Sequence, residues 1–247
     1  MKRIVQSLLK PFGLRLARLD ATQRRGYGLD LLLPLLLRGG FAPKHIIDIG
    51  ANHGGWTRKA IHYFPDAEYT LVEPQEGLER HVQNLVVRGH KIQWIHAGVG
   101  NIAGTFPFFP SNRDDSSSFL SSRAQAQPGQ TNPVLMQVRT LNEIVSSSRK
   151  PVPDLVKIDA EGFDLKALAG ASDLLGKTEV FLVEAAVCCA DYENTVLNVV
   201  QFMASVQYRL IDIAALDRSP KSDALWVCEL AFVRNASTIL ETVNTFE

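Results

Sequence analysis

Apolar and polar positions along this chain switch repeatedly between the runs and alternations typical of strands and the wider spacing typical of helices. Leu29 to Leu37 is nearly all leucine but contains Pro34; it is far too short to span a bilayer and reads as a buried helix. Ile46, Ile47 and Ile49 are β-branched and bounded by Pro43 and Gly50, which predicts a short buried strand. Gly50, Gly54 and Gly55 follow, where a backbone without Cβ atoms can turn tightly and admit a ligand. A helix is expected over Arg58 to Phe64, and Glu68 to Glu73 alternates into a second strand stopped by Pro74. Leu78, Val82, Leu85 and Val86 predict a helix over Gln75 to Val87, and Lys91 to Val99 a third strand. Such a β-α-β-α-β series implies a parallel sheet with right-handed crossovers.

The pattern then changes. Thr105 to Pro110 has strand character interrupted by prolines, which suits an edge strand. Residues 111–133, rich in Ser, Gln, Asn, Gly and Pro, form either a linker or a substrate-covering loop. Val134 to Val138 is a short strand, and Thr140 with Glu143 makes a capping box. Asp154 to Asp159 predicts a fourth core strand, Phe163 to Ala169 a helix ended by Gly170, and Glu179 to Glu184 a fifth strand. Asn194 to Val206 is helical. Tyr208 to Ile213 and Ala224 to Arg234 form an antiparallel pair at the sheet edge, joined by the loop 214–223.

Length and charge narrow this picture. With 247 residues, the chain divides into an N-terminal helical arm, residues 1–38, and one domain, residues 39–247. Its 26 basic and 26 acidic residues balance, so nothing electrostatic argues for a nucleic-acid partner. Cys188, Cys189 and Cys228 lack metal or redox spacing and read as small apolar residues of a reducing, cytoplasmic compartment. Basic and apolar residues alternate from Met1 to Leu19 with no cleavage-site pattern. That segment is either a helix or free end belonging to the domain, or an amphipathic arm making peripheral membrane contact.

The glycines do not fit a dinucleotide turn, because the interval from Gly50 to Gly54 is too long for G-x-G-x-x-G. Glu73 ends the second strand, where a carboxylate can accept from both hydroxyls of a ribose. A ribose carboxylate without a strong phosphate cradle fits an adenosine carrying a sulfonium amino acid better than a pyrophosphate.

These stretches resemble the FkbM-type methyltransferases. The similar segments are Ile47-Asp-Ile-Gly-Ala-Asn-His-Gly54, Val72-Glu-Pro74, Gly98 to Gly104, Ser116-Ser-Ser118, Val138-Arg-Thr-Leu141, and Lys157-Ile-Asp-Ala-Glu-Gly162 with Leu168-Ala-Gly170. They lie in the family's order over roughly residues 44–185. The resemblance implies an α/β, class I methyltransferase (Rossmann-like) fold: a mostly parallel sheet, helices on both faces and an antiparallel C-terminal edge. It implies S-adenosylmethionine as cofactor and methyl transfer to a hydroxyl of a sugar, glycolipid or related small molecule. By the same resemblance Asp48, Gly50, Ala51, Asn52 and Gly54 hold the methionine end and Glu73, beside Pro74, the ribose. The adenine falls near Gly98 and Val99, where family members often have Asp and this chain has Gly98-Val99-Gly100-Asn101. Ser117, in the serine run after Asp114, either closes over the cofactor or belongs to a solvated loop.

Asp159 and Glu161 are the candidate catalytic residues, because strand four carries Asp159 to the carboxyl end of the sheet and methyl transfer needs a group that orients the hydroxyl or takes its proton. The plainer alternative makes Asp159 a cap of the following helix and Glu161 a partner of Lys157. Asp159 with Glu184 offers oxygen ligands for a divalent cation, as in some other O-methyltransferases, but neither stretch matches those enzymes, and no metal site is expected. His53 is a base or a solvent-facing residue, and Trp56, Trp94 and Trp226 line the core or the cofactor. Two other functions fit the same pattern: N-methylation of a small amine, and a non-catalytic binding subunit.

Overall fold

The computed structural model describes residues 28–111, 117–120, 132–188 and 192–243. The basic arm before residue 28, Asp114 to Ser116 of the serine run, and Cys189 lie outside these residues. Helix α1 (Leu29–Arg38) is followed by β1 (His45–Ile49), α2 (Gly55–Tyr63) and β2 (Glu68–Glu73). A 3-10 turn (Leu78–Val82) runs into α3 (Gln83–Val87), then β3 (Ile92–His96), β4 (Gly98–Val99), β5 (Gly104–Phe108) and β6 (Val134–Arg139). The second half comprises α4 (Leu141–Ser147), β7 (Leu155–Ile158), α5 (Asp164–Ala169), β8 (Val180–Ala186), α6 (Val196–Ser205), β9 (Tyr208–Arg218), β10 (Leu225–Arg234) and α7 (Ile239–Val243).

Seven strands form one sheet in the order β3-β2-β1-β7-β8-β10-β9. The first five pair in parallel, and β10 runs antiparallel between β8 and β9. The central strands are apolar on both faces, as helices on both sides require. Ile46, Leu155, Leu182 and Ala231 pack under α1 and α2, with Leu32, Leu33, Leu36, Ala60 and Ile61. Ile47, Ile49, Val156, Phe181 and Leu230 pack on the other face against α4, α5 and α6. Strand order reverses between β1 and β7, and the crevice beyond their carboxyl ends is where open α/β sheets bind ligands.

Three expectations change. Lys91 to Val99 is two strands: β3 extends the large sheet, whereas β4 pairs with β6 in a small sheet ordered β4-β6-β5. Gly98 sits beneath the Phe119 ring, where a Cβ would collide, so the chain leaves the main sheet where a ring covers it. The helix expected over Gln75 to Val87 starts only at Leu78 and begins as a 3-10 turn, because Glu73 holds the Gln75 N–H. The hairpin strands run to Arg218 and from Leu225, well into the expected loop 214–223. The capping box at Thr140 forms as read, with Thr140 and Glu143 bonding each other's backbone N–H. Among the described residues no helix is long and apolar enough to cross a membrane.

Candidate functional site

β1 carries Asp48 into full burial at the switch point. One carboxyl oxygen accepts the Thr57 hydroxyl at 2.5 Å, and the other lies 3.4 Å from Lys157 Nζ. The chain then turns at Gly50 (φ 69°), where a side chain would drive into the Asp159 carbonyl oxygen; only glycine fits this position. Ala51 is buried, and its N–H reaches the Val72 carbonyl. Asn52 adopts φ 46° and points its N–H at Glu73 Oε2, 2.9 Å away. Gly54, also left-handed, opens α2 against Val82.

Glu73 ends β2 only 3 % exposed. Burial raises its pKa, opposed by hydrogen bonds from the Gln75 and Asn52 N–H groups. These bonds fix the carboxylate's orientation: Oε1 accepts both the Gln75 N–H and the Gln75 side-chain amide, and Oε2 keeps one lone pair beyond the Asn52 N–H. Gln75 extends the link: its amide donates to Glu73, and its carbonyl accepts from the Ser117 hydroxyl at 3.0 Å. The Pro74 carbonyl meets His96 Nε2 at 2.6 Å. Ser117 is thereby joined to the ribose candidate. Gly98 lies beneath Phe119, whose ring stands 4.8 Å from Phe108 and 5.2 Å from Phe163, and Val99 is buried beside Arg139 of β6.

Lys157 binds these pieces together. It is buried opposite Asp48 in the β1–β7 register, and its ammonium meets Asp159 Oδ2 at 3.1 Å and the carbonyls of Ile49 and Gly50 at 3.3 and 3.2 Å. Burial alone would depress this ammonium's pKa, but Asp159, Asp48 and Glu229 outweigh it and raise the value. Asp164, not Asp159, holds the turn after β7 by accepting the Ala160 and Gly162 N–H groups. Glu161, at φ 50°, accepts from the Tyr192 hydroxyl, and its carbonyl accepts from Ser118. Asp164 is itself buried and held by Asn194 Nδ2, and burial pushes its pKa up to about 7.

Beside Asp159 a cavity of about 400 Å³ opens between α1, α2, the carboxyl ends of β7, β8 and β9 and the amino-terminal half of the antiparallel β10. Trp56, Glu184, Asp217 and Glu229 line it with Lys157 and Asp159. No group of three or more His, Cys, Asp or Glu among the described residues is arranged to hold a metal ion. His53 is exposed against the His81 ring at 4.2 Å, and Trp226 is 39 % exposed rather than in the core. Lys157, Asp164 and Glu229 went unassigned in the sequence. Lys157 stood inside a recognised motif, whereas nothing near Glu229 marks it.

The methyltransferase FkbM domain model matches residues 48–210. The 2-O-methyltransferase NoeI of Sinorhizobium fredii is 23 % identical over 150 residues, which are 56 % of this chain and 62 % of that protein. Among solved structures, methyltransferase FkbM from Methylobacillus flagellatus aligns with TM-score 0.52 at 17 % identity, over 84 % of this chain and 49 % of that one. An O-methyltransferase-like protein from Klebsiella pneumoniae aligns with TM-score 0.50 at 13 % identity, over 95 % and 89 % of the two chains. The chain thus spans less than two thirds of NoeI and about half of the Methylobacillus protein. Both structural likenesses support the α/β methyltransferase fold described above. The glycine turn, Glu73 and the Lys157–Asp159 pair all fall inside the matched segment, and the chain belongs to the methyltransferase FkbM domain family.

Proposed function

We propose that this chain transfers a methyl group from S-adenosylmethionine to a hydroxyl oxygen of a sugar, glycolipid or related small molecule. The cofactor supplies a methyl carbon activated by a sulfonium. Glu73 carries the reading: it is a buried carboxylate at the tip of β2, oriented by the Asn52 and Gln75 N–H groups, with a lone pair on Oε2 for one ribose hydroxyl and a second on Oε1 once the Gln75 side-chain amide gives way to the other. The turn at Gly50 to Gly54 presents main chain rather than side chains beside it, which makes room for a methionine moiety. Asp159, half-buried and tied to Lys157, faces the adjoining cavity and orients the acceptor hydroxyl. Glu161 supports the wall through Tyr192 and Ser118. NoeI, named a 2-O-methyltransferase, favours oxygen as the atom methylated.

Calorimetric titration with S-adenosylhomocysteine tests the reading. Micromolar binding by the wild type is expected, and Glu73→Ala is expected to weaken it at least about tenfold, the equivalent of ~1.4 kcal/mol. Unchanged affinity in the variant would remove the ribose assignment, and a wild type that does not bind would remove the cofactor.

A further inference from the structure

The cavity beside Asp159 is built largely by elements outside the glycine turn: Trp56 on α2, Glu184 on β8, Asp217 on β9 and Glu229 on β10. Asp217 and Glu229 lie beyond the matched residues 48–210, whereas Trp56 and Glu184 lie within them. Glu184 and Glu229 are direct cross-strand partners on the same face, an arrangement that like charges disfavour. Glu229 is only 8 % exposed, and its carboxyl accepts no hydrogen bond from any described residue. The Lys157 ammonium directs its contacts to Asp48, Asp159 and two carbonyls. The same wall carries the side chain of Trp56. A buried carboxyl on a cavity wall, left without a donor, calls for a ligand that supplies one. A carbohydrate does so, with a hydroxyl for the carboxyl and a C–H face for the Trp56 ring.

We propose that this cavity receives a glycoside and that Glu229 takes the proton of the hydroxyl being methylated. The inference rests on the methyl-transfer reading above. The acceptor oxygen gains the methyl carbon as the bond from that carbon to sulfur breaks and its electron pair stays on sulfur. The O–H proton passes to the Glu229 carboxylate, so charge and atoms balance. Burial pushes the Glu229 carboxyl up to about 7, against the opposing pull of Lys157 and with the added repulsion of Asp159, Asp48 and Asp217. Glu184 and Lys59 complete the charged groups around the cavity. A base poised near neutrality suits this step.

The test uses the full chain, labelled S-adenosylmethionine, and methyl glycosides of hexoses and deoxyhexoses as acceptors. The wild type is expected to label a glycoside with kcat/KM rising to a plateau above about pH 7. Glu229→Gln is expected to bind the cofactor as before, to lose at least about a hundredfold in kcat and to lose the rise with pH. Full activity in that variant, or a wild-type rate flat from about pH 5 to about pH 9, overturns the proposal. So does a wild type that binds cofactor but labels no glycoside; failure to bind cofactor would instead strike the methyl-transfer reading. If Glu229→Gln does not fold, Glu229→Asp decides: it is expected to bind the cofactor as before and to lose at least about tenfold in kcat while keeping a rise with pH, and full activity in it overturns the proposal.

Discussion

The two ends of the crevice are built in opposite ways. At the β1–β2 end, a contiguous turn supplies main-chain groups, and the charged side chains are paired: Asp48 with Thr57 and Lys157, Glu73 with two N–H groups. At the β9–β10 end, the groups come from strands far apart in sequence, and Glu229 is buried without a hydrogen bond among the described residues. Satisfied polar groups hold a shape, whereas an unsatisfied one costs stability and retains reactivity. In the proposed reading the first end holds the methyl donor and the second meets the acceptor.

The largest break comes from Lys157. Lys157→Met leaves Asp48, fully buried, with Thr57 as its remaining polar partner and releases Asp159. Removing one member of a buried ion pair costs about 3–5 kcal/mol. Thermal unfolding should show a fall in Tm of about 10 °C for a chain of this size. A loss under about 1 kcal/mol would mean that the pairing at this end is not what holds it.

Glu229→Gln sharpens the other side through pH. A carboxyl raised from 4.5 to about 7 in the fold keeps its proton there more tightly than in the unfolded chain. Stability therefore falls as pH rises from about 4.5 through about 7, by a total on the order of 3 kcal/mol. Glutamine does not ionise, so the variant should gain on the wild type by that order between pH 5 and pH 8 in denaturant unfolding. Asp164, raised in the same direction, contributes equally to both proteins. Equal pH dependence in the two proteins would show that Glu229 is not a strained carboxyl.

The same contrast explains what was legible in the sequence. Asp48, the glycine turn and Glu73 sit within runs whose local chemistry announces them, and Asp159 stands at the end of an apolar run. The alternation of Glu68 to Glu73 and the box at Thr140 and Glu143 translated directly into β2 and the start of α4. Glu229 sits within the apolar run Leu225 to Val233, and only the antiparallel register that places it opposite Glu184 shows its surroundings. Lys157 was visible, but its partners depend on which strand lies beside β7. Lys91 to Val99 gave no local signal of two sheets, because both parts are strand-like and the division comes from a distant ring, Phe119.

The smallest effect tests whether the cofactor end works through its backbone. Asn52 holds φ 46°, a conformation asparagine tolerates and glycine adopts freely. Its side chain accepts the His53 N–H at 2.6 Å, an exposed bond that stabilises modestly, while its N–H orients Glu73. Asn52→Gly keeps the N–H, loses the exposed bond and relieves the left-handed strain, so the two changes nearly cancel. Stability should move by less than about 1 kcal/mol, and S-adenosylhomocysteine affinity by less than about threefold, or about 0.7 kcal/mol. A collapse of affinity with the fold intact would place the Asn52 side chain against the ligand, and would make this end depend on side chains as the β9–β10 end does.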